Sequence, residues 1–303
     1  MKTAQINVTV ATLWTGPDSP RDLDQGAIEH PVQIEKWLNG MSAEERKQLL
    51  DNNKIQSQVL YGETVYVLEE QDGWSHVLVP SQTSKKNEGG YPGWIPSVQL
   101  TDVSEEDAEG EPGQLFAMVT ADFADLKNEN GEQILPLVYT TILPVLEEGE
   151  RIEVHTPHGS GFLKPDDVEL YRSQKEQRSG RELATEGERF NDLLYLWGGM
   201  TPYGYDCSGF SYSIHKASGY IIPRDASDQA ASGVKVKKED VQPGDLLFFA
   251  YEEGKGQLHH VGIYHGDGKM IHSPTPGKRI MIQEIKSSFY EKEWCETRRY
   301  WKK

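Results

Sequence analysis

The chain has 303 residues, of which 26% are charged and 36% hydrophobic, and a formal net charge of −17. That length accommodates two or three domains with separate cores. The acidic balance, with a pI near 5.0, speaks against nucleic acid and anionic membranes as partners. The two cysteines, Cys207 and Cys295, fit a reducing compartment better than a disulfide framework. Met1 to Val10 has no continuous apolar stretch, and no later run approaches about 18 apolar residues. A cytoplasmic protein is expected.

Three segments differ in texture. Residues 1–105 carry short alternating runs: Ile6 to Val10, Val59 to Tyr61, Thr64 to Leu68 and Trp74 to Val79. They read as strands separated by turns at Tyr61-Gly62-Glu63 and Gln71-Asp72-Gly73, in a small antiparallel barrel. A helical insertion interrupts them between Pro31 and Asp51, where Ser42 and Glu45 have capping-box spacing. The acidic run Ser104 to Gly113 reads as a linker. A second β-rich segment, 110–172, has runs at Leu115, Ile134, Ile142 and Arg151, with Pro136 and Pro144 marking edges or bulges.

Residues 173–303 change character. Helical spacing covers Arg181 to Trp197, and a second helix is expected over Asp206 to Ser218. Strand-like runs follow from Asp245, His260, Lys269 and Ile280. Helices first and strands later predict an α+β domain.

Cys207 opens the second expected helix, where unpaired amide N–H groups and the helix dipole favour a thiolate. A lowered thiol pKa is expected, with the Cys207 N–H available to an oxyanion. His260 and His272 lie on consecutive strand-like runs. Adjacent antiparallel strands would set them side by side, His260 as base and His272 as the group orienting it. Alternation turns His259 to the opposite face, His265 falls in an expected turn from Tyr264 to Gly268, and Cys295 reads as packing. No HExxH or CxxC spacing occurs, so neither a metal nor another cofactor is expected.

The strings Asp206-Cys207-Ser208-Gly209-Phe210, Pro243-Gly244-Asp245-Leu246, His260-Val261-Gly262-Ile263-Tyr264 and Met270-Ile271-His272-Ser273-Pro274 occur in this order. Together they resemble the NlpC/P60 family of papain-like cysteine peptidases, which cleave bacterial cell-wall peptides. The N-terminal segments, with Thr64-Val-Tyr-Val-Leu68, Gly73-Trp74 and Tyr91-Pro-Gly-Trp94, resemble bacterial SH3-like domains. The resemblance implies a papain-like domain preceded by two SH3-like barrels, the first with a helical insertion. It assigns Cys207 as nucleophile, His260 as base, His272 as third member and Tyr195 to the oxyanion. It places Asp206, Ser208 and Arg224 at the substrate, with Tyr91 as the candidate contact from the first barrel.

The whole arrangement resembles γ-D-glutamyl-L-diamino acid endopeptidases of the YkfC type. The implied substrate is a murein peptide with a free N-terminal L-Ala, cut before meso-diaminopimelate or L-Lys during cell-wall recycling. Two alternatives remain: an amidase or acyltransferase acting on another amide, and a wall-binding protein with an inactive peptidase. Oligomeric state is open.

Overall fold

A computed structural model describes residues 2–104 and 113–302, so the expected linker falls largely outside the described residues. The chain divides into two compact units. One comprises residues up to Ser81 with Lys86–Lys175; the other comprises Gln82–Lys85 with Glu176–Lys303.

The first unit holds both β-rich segments. Strands β1 (Lys2–Ile6), β2 (Val10–Trp14), β3 (Ile55–Leu60), β4 (Thr64–Gln71), β5 (Trp74–Val79), β6 (Tyr91–Pro96) and β7 (Leu100–Asp102) form one sheet in the order β3-β2-β6-β5-β4-β1-β7. The single run expected over Ile6 to Val10 is therefore two strand ends. Asn7 parts them, its side-chain amide turning to Thr101 and the Val98 carbonyl. The β4–β5 hairpin closes through Asp72 (φ 49°) and Gly73 (φ 81°), the doubly positive pair that a two-residue turn between twisted strands requires. Val, Leu, Ile and Ala side chains from alternate positions fill the barrel, with Tyr91 among them.

Two helices, Ile34–Gly40 and Ala43–Asp51, form the insertion. Ser42 and Glu45 make the reciprocal cap, while Trp37 and Leu38 are buried.

The second sheet takes the order β10-β9-β13-β12-β11-β8-β14. Its strands are β8 (Leu115–Val119), β9 (Phe123–Lys127), β10 (Gln133–Val138), β11 (Ile142–Glu147), β12 (Ile152–Thr156), β13 (Gly159–Leu163) and β14 (Val168–Arg172). Pro136 lies on the edge strand β10, and the register of β11 against β12 shifts just after Pro144. Both placements follow from the missing N–H of proline. Tyr61 leaves the first barrel to join the core of the second. Its hydroxyl meets His158 Nδ1 at 2.7 Å.

The second unit is α+β. The helix expected over Arg181 to Trp197 is only Gly180–Glu186, followed by a 3₁₀ turn to Phe190. Asp192 at φ 73° ends it, and the chain beyond is extended. A two-residue ribbon, β15 (Met200–Thr201) with β16 (Gly204–Tyr205), leads into the helix Cys207–Ala217. The remaining sheet runs β17-β22-β18-β19-β20-β21. Its members are β17 (Val234–Lys235), β18 (Leu246–Ala250), β19 (Leu258–Gly266), β20 (Lys269–His272), β21 (Met281–Glu284) and β22 (Trp294–Arg299).

The Pro243-Gly244-Asp245 string serves the architecture of this unit. Gly244, at φ 91°, lies where a Cβ would meet the Gly180 backbone at 2.5 Å. Asp245 is fully buried and accepts from Arg299 at 2.7 Å, Trp301 at 3.0 Å and the Gln242 N–H at 2.8 Å.

Candidate active site

Asp206 caps the helix that begins at Cys207, its Oδ1 accepting the Gly209 N–H at 2.6 Å. This Asx-type cap is what a carboxylate before a helix is suited to make. Gly209 is obligatory, because a Cβ there would stand 2.1 Å from the Gly199 carbonyl oxygen. The first helical turn therefore rests directly on the Trp197-Gly198-Gly199 loop. Cys207 is buried in this turn, 9% exposed.

The expected thiolate is not the resting state. Burial, followed by the Asp206 carboxylate, pushes the Cys207 thiol up to about 12. The backbone of Val261 and Ser208 and the Arg224 guanidinium pull the other way and lose. A helix N-terminus offers a partial charge, which is outweighed by complete desolvation beside a carboxylate.

His260 and His272 come together as the spacing predicts. Asp267 (φ 51°) and Gly268 (φ 74°) close the β19–β20 hairpin, and a bulge between Tyr264 and Gly266 shifts its register so that Ile263 lies opposite Ile271 and both histidines turn to one face. His260 Nε2 then lies 2.7 Å from His272 Nδ1, with the two rings at 73°. Gly262 makes room for this pair: a Cβ there would lie 3.2 Å from His272 Cβ and 2.9 Å from Met270 Sδ. Burial drives His260 well below the usual imidazole range, with neighbouring His272 and His259 adding to it. Burial also lowers His272, to about 4.

The thiol is influenced by the backbone of Val261, the residue after His260. With Nε2 of His260 committed to His272, Nδ1 is the ring nitrogen left to receive a proton.

Tyr195 is 4% exposed. Burial first, then Cys207 and Asp206, hold its hydroxyl protonated well above the usual phenol range. It remains a donor, the form an oxyanion needs. Arg224 is 1% exposed. It reaches Asp206 Oδ2 at 2.7 Å and Oδ1 at 3.2 Å, and donates to Ser208 Oγ at 2.8 Å. Asp206 also accepts from Ser208 Oγ at 3.2 Å and from the Gly198 N–H at 3.0 Å. Its two oxygens already receive five donors, so Asp206 orients Ser208 and Arg224 and caps the helix that begins at Cys207. The Arg224 backbone is held in turn, its N–H donating to the Thr83 carbonyl at 3.1 Å.

Tyr91 belongs to the first unit. It is buried in the barrel core, with its hydroxyl accepting from Lys86 Nζ and that ammonium 4.2 Å from the ring centroid. Of the other singled-out residues, His259 pairs with Glu293 at 3.0 Å and stacks on Tyr251. His265 lies within β19 rather than in the turn, meeting Glu188 at 2.8 Å. Cys295 is exposed, not packed, and its thiol donates to the Phe248 carbonyl at 3.4 Å.

Sequence reasoning missed two residues. Gln283 Oε1 lies 3.1 Å from His272 Nε2. The Tyr290 ring packs on both imidazoles, with centroids 5.2 Å from His260 and 5.3 Å from His272. Gln283 follows His272 by eleven residues, and a glutamine there gives no signal without the β20–β21 register. Among the described residues no cluster of three or more potential metal ligands occurs.

The geometry suits acyl transfer: a buried thiol, a neutral imidazole base held by a second imidazole, and a protonated phenol nearby. Comparison with known proteins agrees. Residues 192–299 match the NlpC/P60 family, 119–171 match the YkfC SH3b2 domain, and 46–100 match the bacterial dipeptidyl-peptidase SH3 domain. The chain is 46% identical to a γ-D-glutamyl-L-lysine dipeptidyl-peptidase of Bacillus subtilis, over 96% of each chain. It is 40% identical to the protein of the same name in Bacillus cereus, over 98% of this chain and 90% of that one. The crystal structure of an NlpC/P60 family protein from Bacillus cereus superposes with a TM-score of 0.94 at 39% identity, over 99% of this chain and all of that one. A match that spans both barrels and the segment bearing the thiol and the imidazoles shows that the chain belongs to the NlpC/P60 family of cysteine peptidases, in the form that carries two SH3b domains.

Proposed function

We propose that this peptidase removes the N-terminal dipeptide from murein peptides, cutting L-Ala-γ-D-Glu-diamino acid substrates at the γ-D-glutamyl amide. The buried Cys207 thiol beside the backbone of Val261, the residue after His260, together with the His260–His272 pair, carries the reading. The dipeptidyl-peptidase names of two relatives at 40–46% identity support the bond chosen.

In the reaction, Cys207 Sγ attacks the γ-carbonyl carbon while its proton passes to His260 Nδ1. Thiol and imidazole are both neutral at rest, so proton transfer accompanies attack. The Cys207 N–H and the Tyr195 hydroxyl meet the developing oxyanion. His260 then gives its proton to the leaving amine as the C–N bond breaks, leaving a thioester on Cys207. Water, deprotonated by His260, releases L-Ala-D-Glu and restores the thiol. The Ser208–Arg224 pair, set by Asp206, is the candidate polar anchor for the dipeptide. Action on released wall peptides in recycling follows from the requirement for a free dipeptide end.

Defined peptides test this. L-Ala-γ-D-Glu-L-Lys and its meso-diaminopimelate counterpart are offered, each with and without an N-acetyl group. Chromatography should find L-Ala-D-Glu and the free diamino acid from the unacetylated peptides alone. Equal turnover of the acetylated peptides would remove the free-end requirement, and cleavage at another bond would remove the proposed specificity.

A further inference from the structure

Gln283 lies on the edge strand β21, opposite Met270 in the register, and is half-buried. Its Oε1 faces His272 Nε2 at 3.1 Å. A carbonyl oxygen only accepts, so the proton on His272 sits on Nε2. Neutral imidazole carries one N–H, which leaves Nδ1 of His272 as an acceptor. The nitrogen 2.7 Å away, Nε2 of His260, must then be the donor. His260 is thereby fixed with its lone pair on Nδ1, the tautomer that can take the thiol proton.

We propose that Gln283 is a positioning residue for the reaction, a fourth member of the row Cys207–His260–His272–Gln283 that selects the base's tautomer through His272. The proposal rests on Cys207 and His260 as nucleophile and base. A fixed orienter is needed because His272, unlike a carboxylate or a carboxamide, presents either a donor or an acceptor at the same atom. Without an acceptor at Nε2, the reverse arrangement, with Nδ1–H on both rings, becomes available and disables the base.

The other titratable groups beside the rings are His259 from β19, its centroid 6.4 Å from that of His260, and Tyr290 from the helix Phe289–Glu293, which packs on both rings and is itself influenced by Cys207. Glu293 is engaged by His259. Glu284 is exposed and turns to the other face of β21. None of these supplies the acceptor.

Three replacements separate an orienting role from a structural one. Gln283→Glu keeps an acceptor, Gln283→Leu removes it, and Gln283→Lys substitutes a donor. Cleavage of L-Ala-γ-D-Glu-L-Lys by the full chain is followed across pH, with Cys207→Ala as the nucleophile control. The order of kcat should be wild type, Glu, Leu, Lys, with KM unchanged. We expect a loss of about tenfold for Leu and about a hundredfold or more for Lys, below the roughly 10⁴-fold cost of a wrong base tautomer in a serine protease triad. The Glu variant should recover wild-type kcat to within about threefold at alkaline pH. Its acid limb should move to higher pH, because a carboxylate favours protonated His272.

Nitrogen-15 spectra of the histidines read the tautomers without substrate, and should show Nε2–H on both His260 and His272 in the wild type. Nδ1–H on His272, or wild-type kcat and pH profile in both the Leu and Lys variants, overturns the proposal. Turnover by Cys207→Ala would instead remove the nucleophile assignment, and the spectra would still decide the tautomer.

Discussion

The second unit buries two polar clusters that meet at consecutive residues and are built on opposite principles. Asp206 and Arg224 bring full charges into the interior, and every oxygen of the carboxylate is occupied by donors. Cys207, His260, His272 and Gln283 bring no charge, because burial pushes the thiol up and both imidazoles down. Charge is tolerated where a partner answers it, and is displaced as a proton where none does. The first cluster holds a shape. The second holds a thiol and two imidazoles in their neutral forms.

Breaking the charged cluster should destabilise the fold at neutral pH. Arg224→Met strands Asp206, 4% exposed, without its cation, and should cost about 3 kcal/mol or more in denaturant unfolding. The double variant Arg224→Met/Asp206→Asn should recover part of that loss, since an amide needs no counter-charge. A double variant no better than the single one would show that the packing of Arg224, rather than its charge, matters.

The neutral cluster should reveal itself in acid. His215, the third buried histidine of the unit, is fully buried and lowered by burial to about 4, like His272. Each ring has a folded-state pKa below its unfolded value near 6.5. Between those limits the unfolded chain holds protons that the folded chain lacks. Stability should therefore be full above about pH 6.5 and fall toward pH 4 by about 1.4 kcal/mol per pH unit for each histidine. Thermal melts across this window measure it, with His215→Gln expected to flatten the slope by a share while leaving Cys207, His260, His272 and Gln283 in place. A melting temperature independent of pH from 7 to about 4 would contradict the neutral assignment.

Much of this was legible in the chain. The Ser42–Glu45 cap, the Asp72-Gly73 turn and the helix after Asp206 each rest on a few neighbouring residues, and the structure has all three. The nearness of His260 and His272 was legible because both lie on short runs joined by the Asp267-Gly268 turn, but the bulge between Tyr264 and Gly266 that turns both rings to one face was not. What failed depended on tertiary surroundings. Apolar spacing from Leu183 to Trp197 imitates a helix, but past Phe190 the helix has ended, and there Tyr195 and Leu196 are buried while Leu193, Leu194 and Trp197 are only half-buried. The thiolate at Cys207 was inferred from a local dipole, whereas its pKa is set by burial and a neighbouring carboxylate. Gln283 reaches the site through strand pairing alone.

The central claim is that Cys207, neutral at rest, becomes the acyl carrier through His260. Acid quenching during turnover of L-Ala-γ-D-Glu-L-Lys, followed by intact-protein mass spectrometry and peptide mapping, tests it directly. The expected result is an L-Ala-D-Glu acyl group on Cys207, with neither adduct nor product in a folded Cys207→Ala variant. Continued product formation by that variant would contradict the account.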